Sequence, residues 1–353
     1  MDNENVSLGR ERKFSFQLGW LSDYRLQLMG ICAIGVILCH ANLDISNVAL
    51  PKVVALFWGL GNQGVDVFFL LSGIGMYYSL QRRDPLKRWY LKRFYAIGIS
   101  YILIAAPFYI WYVIDKSGNV LDFFRHLFTI GFWSENFGAW YIAVLIPLYV
   151  ITPFVGKLID KSKRRNVVVG AIVLGVFVVC LVGKAFSSGV LNNVFARFLY
   201  TPTYFLGYGL GPVVKEKKRI TWWLCPTFLI LFFALTTIPN QFSFAYKVLY
   251  VPMVMILCVI IRFVYAHMRW LDAVLCWFGK RSLELYLTNI FLPFVLRAIP
   301  VWGNPWNNGN YVFYAIVIAL GVLISQGVYI VKCKSQKKFE QKCHVNECFG
   351  EAS

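Results

Sequence analysis

Two ionisable side chains set in long apolar runs carry the chemistry this chain could do. His40 lies near the end of the run 26–42 and Asp66 near the start of the run 64–80. Such groups are costly in hydrocarbon and are kept where they face a bundle interior, pair with one another or act. Antiparallel first and second helices would put both side chains at the same outer depth, joined by the loop 43–63. A carboxylate bonded to an imidazole fixes its tautomer and supports its positive charge, the usual construction of a general base. A buried ion contact that packs two helices, or a histidine among lipid headgroups, explains the same residues without catalysis. Arg25 stands fifteen residues before His40, roughly 22 Å at 1.5 Å per residue. One helix would then carry a cation at one membrane face and an imidazole near the other. That layout suits a long donor with an anionic head and a reactive far end.

Other stretches offer weaker chemistry. The segment Arg88-Trp89-Tyr90-Leu91-Lys92-Arg93 would meet the headgroup region, where its charges attract phosphates or simply anchor the helix. Glu284 falls in the first turn of the run 282–296, a position the helix dipole favours. Trp133, Trp140, Tyr141, Trp302 and Trp306 map to the outer boundary, either as an interfacial belt or as a stacking surface for a sugar. Gly59-x-Gly61-x-x-Gly64 follows no strand and opens no βαβ unit, so it is no dinucleotide site. Gly207-x-Gly209-x-Gly211 and Ser72 read as helix-packing residues. Cys343-His344-x-x-x-Cys348 lacks the ligand spacing of a zinc site, so no metal is expected.

These residues need helices to hold them. The chain has 353 residues, 58% hydrophobic and only 15% charged, where a soluble domain carries about 25% charged residues. It reads as one all-α, polytopic membrane bundle with about ten transmembrane helices. They are expected at 26–42, 64–80, 94–114, 138–159, 167–182, 197–214, 220–238, 248–266, 282–296 and 312–331. The shorter amphipathic run 121–133 lies along the interface or re-enters the membrane. Residues 1–24 are expected to form a mostly polar cytosolic segment without a cleaved leader, 25–331 the membrane domain, and 332–353 a basic cytosolic tail. With both termini cytosolic, 27 of the 35 Lys and Arg residues fall on inner segments. That asymmetry accounts for the net charge of +18 without nucleic acid.

Four stretches together resemble acyltransferase family 3, the membrane O-acyltransferases. Arg25-x-x-x-Met29-Gly30 leading to His40-Ala41 resembles its first helix. Gly64-Val65-Asp66-Val67-Phe68-Phe69-Leu70-Leu71-Ser72-Gly73 resembles its G-V-D-x-F-F-x-x-S-G signature. Trp89-Tyr90-Leu91-Lys92-Arg93 resembles the entry to its third helix, and Gly279–Asn289 its late G-x-x-S-x-E-x-Y-L segment. The resemblance implies ten helices and catalysis by His40. It implies an acyl-CoA co-substrate, usually acetyl-CoA, with no permanently bound cofactor, and transfer to a hydroxyl of an envelope glycan or lipid-linked sugar. The chain departs from the pattern at Met29, Ala96 and Asn289, where the family often carries Arg, Arg and His. The expected enzyme is a stand-alone form in the bacterial cytoplasmic membrane. His40 and Asp66 would be catalytic. Arg25, Arg88, Lys92 and Arg93 would hold the donor, and Trp133, Trp140, Tyr141, Glu284, Trp302 and Trp306 the acceptor. A transporter, flippase or polymerase of lipid-linked glycans is the rival class, weakened by the absence of an inverted repeat.

Overall fold

A computed structural model describes residues 16–40, 61–220, 227, 230, 250–298 and 311–350. Among them, regular structure is helical apart from one two-stranded ribbon. That ribbon pairs β1 (Phe16–Gln17) antiparallel with β2 (Arg219–Ile220). It is continued by the Leu18 N–H donating to the Lys218 carbonyl at 2.9 Å and by Lys217 to Asp23 at 3.1 Å. Residues 16–24 therefore are not a free polar segment. Phe16, Leu18, Trp20 and Leu21 are buried, the last two in the short α1 (Trp20–Asp23), and Arg262 lies 5.3 Å over the Trp20 ring.

The bundle core comprises α2 (Arg25–His40), α3 (Gly64–Leu80), α11 (Thr201–Lys215) and α13 (Arg269–Lys280). Between α11 and α3, a Cβ at Gly73 would overlap the Tyr204 carbonyl, and one at Gly207 the Leu70 carbonyl. Between α2 and α13 the same reciprocity joins Gly30 to Leu275 and Gly279 to Leu26. Small residues permit this backbone approach, and dispersion between close helices replaces the hydrophobic drive that lipid cannot supply. Gln27 adds a hydrogen bond across the second pair, 2.9 Å to Asp272.

Around this core stand α4 (Leu86–Arg93), continued through a π turn at Phe94–Gly98 into α5 (Ile99–Asp115), then α8 (Trp140–Lys161) and α9 (Arg165–Phe186). Later come α12 (Tyr250–His267), α14 (Ser282–Arg297) and α15 (Tyr311–Gly350). Among the described residues, four helical stretches are long and apolar enough to cross a bilayer, Leu86–Asp115, Trp140–Lys161, Arg165–Phe186 and Val312–Gln341; four shorter apolar helices match further expected spans. On α9 the apolar side chains of Val167, Leu174 and Val179 are exposed, which in this setting is a lipid-facing surface. The expected span 197–214 is broken into α10 (Gly189–Phe198) and α11. The expected span 220–238 lies outside the described residues except at Ile220, Thr227 and Ile230.

Of two further segments, one takes the re-entrant alternative expected for it and one departs from expectation. The run 121–133 becomes a hairpin of α6 (Val120–Leu127) and α7 (Ile130–Glu135), hinged at Thr129 with φ 63°. Asn119 and Asp122 form a capping box that starts α6. His126 stacks on Tyr109 at 5.4 Å, and the Leu127 carbonyl accepts from Tyr101 at 3.0 Å. Tyr109 and Tyr101 lie progressively further from the Asp115 end of α5, so the hairpin re-enters the bundle. The last helix does not stop at Val331. With no Pro or Gly between Gly327 and Gly350, α15 runs on through the basic tail. There Gln336 donates to the Tyr95 carbonyl at 3.3 Å and Phe339 stacks on Tyr95 at 4.5 Å.

Candidate functional site

The first turn of α2, the end of α4 and the start of α14 converge at the face where α2 begins. This is the basic face, which also carries Arg82, Lys92, Lys161 and Lys217. Between them lies a cavity of about 270 Å³. Arg25, Arg93, Lys280 and Lys332 line it as cations and Glu284 as the carboxylate, together with Tyr141 and Tyr149. Glu284 is completely buried. Its Oε1 accepts from Ser100 at 2.6 Å and from the Lys332 ammonium, while Oε2 is buried without a hydrogen-bond partner. Lys332 is thereby neutralised. Arg25 and Arg93 are not: the Nε of each is buried without a hydrogen-bond partner, and among the described residues no carboxylate pairs with either. Gly75 makes the room for Arg25, since a Cβ there would stand 3.1 Å from its Nη2.

Charge taken out of water without a counter-charge is costly, so two half-buried guanidinium groups on one cavity, neither paired with a carboxylate among the described residues, suit an anion. Guanidinium groups suit phosphate and carboxylate oxygens through their forked donors. The two family departures near this site face the same space, because Met29 and Ala96 both line the cavity. Arg25 reaches it from one turn below Met29.

The four expected donor-site cations separate into two pairs. Arg25 and Arg93 share the cavity. Lys92 instead lies 2.6 Å from Asp84 and Arg88 4.0 Å from the same carboxylate. Arg88 is one helical turn from Asp84 in sequence, a spacing at which charges meet.

His40 and Asp66 are not at one depth. Gly35 packs on Gly61 and Cys32 on Gly64, which sets the antiparallel register of α2 against α3. In that register Asp66 stands level with Gly30, ten residues from His40, or roughly 15 Å along the helix. Asp66 is buried, at 1% exposure, whereas His40 is exposed at the far end of α2. The His40 ring is held by its own helix, with Nδ1 2.8 Å from the Val36 carbonyl. A carbonyl only accepts, so Nδ1 carries the proton and a neutral ring presents Nε2 as its basic nitrogen. The tautomer that Asp66 is expected to fix is thus set by Val36.

The expected acceptor residues also divide. Trp133 stacks on Phe198 at 5.7 Å. Trp140 packs on Tyr200 at 4.9 Å, with the Arg197 guanidinium 5.2 Å over its ring. Tyr141 is not on that aromatic surface. It faces the cation cavity, its hydroxyl 3.3 Å from Ser72 and its N–H donating to the Tyr286 hydroxyl at 3.1 Å. Glu284 is likewise at the basic face rather than among the outer aromatics. Trp302 and Trp306 lie outside the described residues, as do the side chains of Cys343, His344 and Cys348. Among the described residues no group of His, Cys, Asp and Glu is placed to hold a metal ion.

Four residues carry no signal in the sequence that singles them out. Lys332 is hidden by its place at the start of a basic run, although the unbroken helical pattern points into the bundle. Ser100 and Tyr149 carry no motif. His126 is buried beside Tyr109 and Tyr112, with Nε2 3.6 Å from a Glu135 oxygen.

Neither a search of curated proteins nor one of solved structures returned a match. A family model described as an acyltransferase domain does match, over residues 28–330. The matched range takes in His40, Asp66, Arg93 and Glu284 and leaves Arg25 and Lys332 just outside. A match over that much of an apolar helical bundle identifies the chain as a member of acyltransferase family 3 and a membrane acyltransferase.

Proposed function

We propose that the protein is an O-acyltransferase of the bacterial cytoplasmic membrane. It moves an acyl group, acetyl in the reading the sequence favours, from cytosolic acyl-CoA to a hydroxyl of a surface or envelope glycan or lipid-linked sugar. The observation that carries this reading is the pair of arginines without a carboxylate partner among the described residues, Arg25 and Arg93, on one cavity at the basic face. In this scheme the basic face is cytosolic and the two guanidinium groups take the CoA phosphates. The cavity extends upward to Val65, which the register sets level with Ile31. From there His40 is nine residues further, roughly 13 Å, a gap for the pantetheine arm to bridge. His40 Nε2 takes the proton of the acceptor hydroxyl, and the oxygen attacks the thioester carbonyl. The C–O bond forms, the C–S bond breaks, and the imidazolium returns its proton to the leaving thiolate. A covalent acyl-histidine relay would use the same nitrogen as nucleophile.

Acetyl-CoA binding to the purified protein in detergent tests the carrying observation. Arg25→Gln and Arg93→Gln each remove one partner of a buried charge contact, worth about 2–5 kcal/mol, so affinity should fall roughly 30-fold or more. Arg88→Gln, whose partner is Asp84, should change it less than threefold. Wild-type affinity in both cavity variants would overturn the donor site.

A further inference from the structure

A second space adjoins the cation cavity and shares Arg93, Ile97 and Tyr149 with it. It is a groove of about 370 Å³ between the π turn and α5 on one side and α8 on the other. Phe94, Ile102, Ile146 and Val150 line it and are exposed, so it opens on the flank that meets lipid. Phe128, at the tip of the re-entrant hairpin, bounds it deeper in the bundle. Of the three phenols on its lining, Tyr90 donates to the Val150 carbonyl at 2.8 Å and Tyr101 to the Leu127 carbonyl at 3.0 Å, while Tyr149 stands at the boundary with the cation cavity. The groove therefore offers hydrocarbon along its length and one cation at its foot. That cation is Arg93, its guanidinium 5.8 Å over the Trp89 ring and its Nε buried without a hydrogen-bond partner, whereas its neighbour Lys92 is committed to Asp84.

An apolar channel running inward from a headgroup-level guanidinium has the outline of a membrane lipid, phosphate below and chain above. We propose that the groove binds one anionic glycerophospholipid of the leaflet on the basic face. Its phosphate sits on Arg93 and one chain lies between α5 and α8. Charge selects the headgroup. Arg25, Arg93 and Lys280 leave the adjoining cavity with excess positive charge, which would repel the choline of a zwitterionic lipid and attract a net-negative one. Because Arg93 faces both spaces, the lipid and the acyl donor compete for one guanidinium. That second half rests on the cavity being the donor site.

The test uses the full chain in nanodiscs of phosphatidylcholine with or without phosphatidylglycerol. Ile102→Trp and Ile146→Trp fill the groove, and neither residue lines the cation cavity. Native mass spectrometry should show one phosphatidylglycerol retained by the wild type and lost from both variants. Acetyl-CoA should bind the wild type at least threefold more weakly when phosphatidylglycerol is present. In the variants that difference should disappear, although the surface charge of the bilayer is unchanged. If wild type retains no phosphatidylglycerol in preference to phosphatidylcholine, or both Trp variants retain as much as wild type, the lipid site is refuted. Retention with equal donor affinity in both bilayers refutes the competition. If acetyl-CoA binds in neither bilayer, the donor reading fails, and retention alone still decides the groove. Should one Trp variant fail to fold, the other and Val150→Trp carry the comparison.

Discussion

Lys332→Met is the sharpest probe of how the cavity is built. Glu284 is completely buried and the Lys332 side chain is 11% exposed. In the wild type Glu284 Oε1 holds both Lys332 and Ser100, and Oε2 has no hydrogen-bond partner. Removing the ammonium leaves a buried carboxylate with one hydroxyl for company. Breaking a buried pair from one side costs about 3–5 kcal/mol, toward the lower end here because Lys332 keeps a little contact with solvent. For a chain this long, roughly 2 °C of Tm per kcal/mol applies, so Tm should fall by about 6–10 °C. Replacing both partners by uncharged groups removes the stranded charge, and buried pairs replaced whole are often neutral in stability. Glu284→Gln combined with Lys332→Met should therefore recover most of the loss. Thermal unfolding of the four proteins in one detergent closes the double-mutant cycle. If Lys332→Met unfolds within 1 kcal/mol of wild type, or the double variant is no more stable than the single one, Lys332 belongs to a solvated tail and the reasoning is wrong.

Three further outcomes follow from the same geometry. His40→Ala should lower transfer by roughly 10²–10⁴-fold while acetyl-CoA still binds, because His40 lies well above the cavity; a near-wild-type rate would remove it from the chemistry. Asp66→Asn should leave intact any limb of the pH–rate profile that disappears in His40→Ala, since Val36 and not Asp66 holds the ring; a shifted limb would restore Asp66 to the expected dyad. Gly75→Val should push on the Arg25 guanidinium, which already stands 3.1 Å from the added Cβ position. It should raise KM for acyl-CoA more than it lowers kcat, as measured by initial rates over a range of donor concentrations, and equal KM in the two proteins would refute that contact.

Much of the bundle is legible in the sequence because a run of apolar residues in lipid has few structural solutions: every backbone group must be satisfied within the segment, and a helix does that. Eight of the expected spans meet a helix of the right composition for this reason. Register is a different kind of information. Hydropathy places helix ends within a turn or two and says nothing about how far one helix slides along its neighbour. Here the slide is fixed by Gly35 against Gly61 and Gly64 against Cys32, contacts between atoms that no periodicity marks. The His40–Asp66 pairing fails on that slide, because both residues are in the helices expected and only the offset of ten residues separates them.

The donor cations show the complementary case. Arg88, Lys92 and Arg93 are equivalent by type and by position near a membrane face, and only their partners tell them apart. Asp84 takes Arg88 and Lys92, and the i, i+4 spacing of Asp84 and Arg88 is already visible in the sequence. Arg93 and Arg25 remain because, among the described residues, no carboxylate pairs with either, Glu284 being held by Lys332 and Ser100. A site of this kind is defined by what its cations lack. Reading it requires the positions of the acidic side chains packed around them, which follow from helix register and not from residue type. The carboxylate on the cavity is held by a lysine from the last helix, and two arginines are left facing the space between.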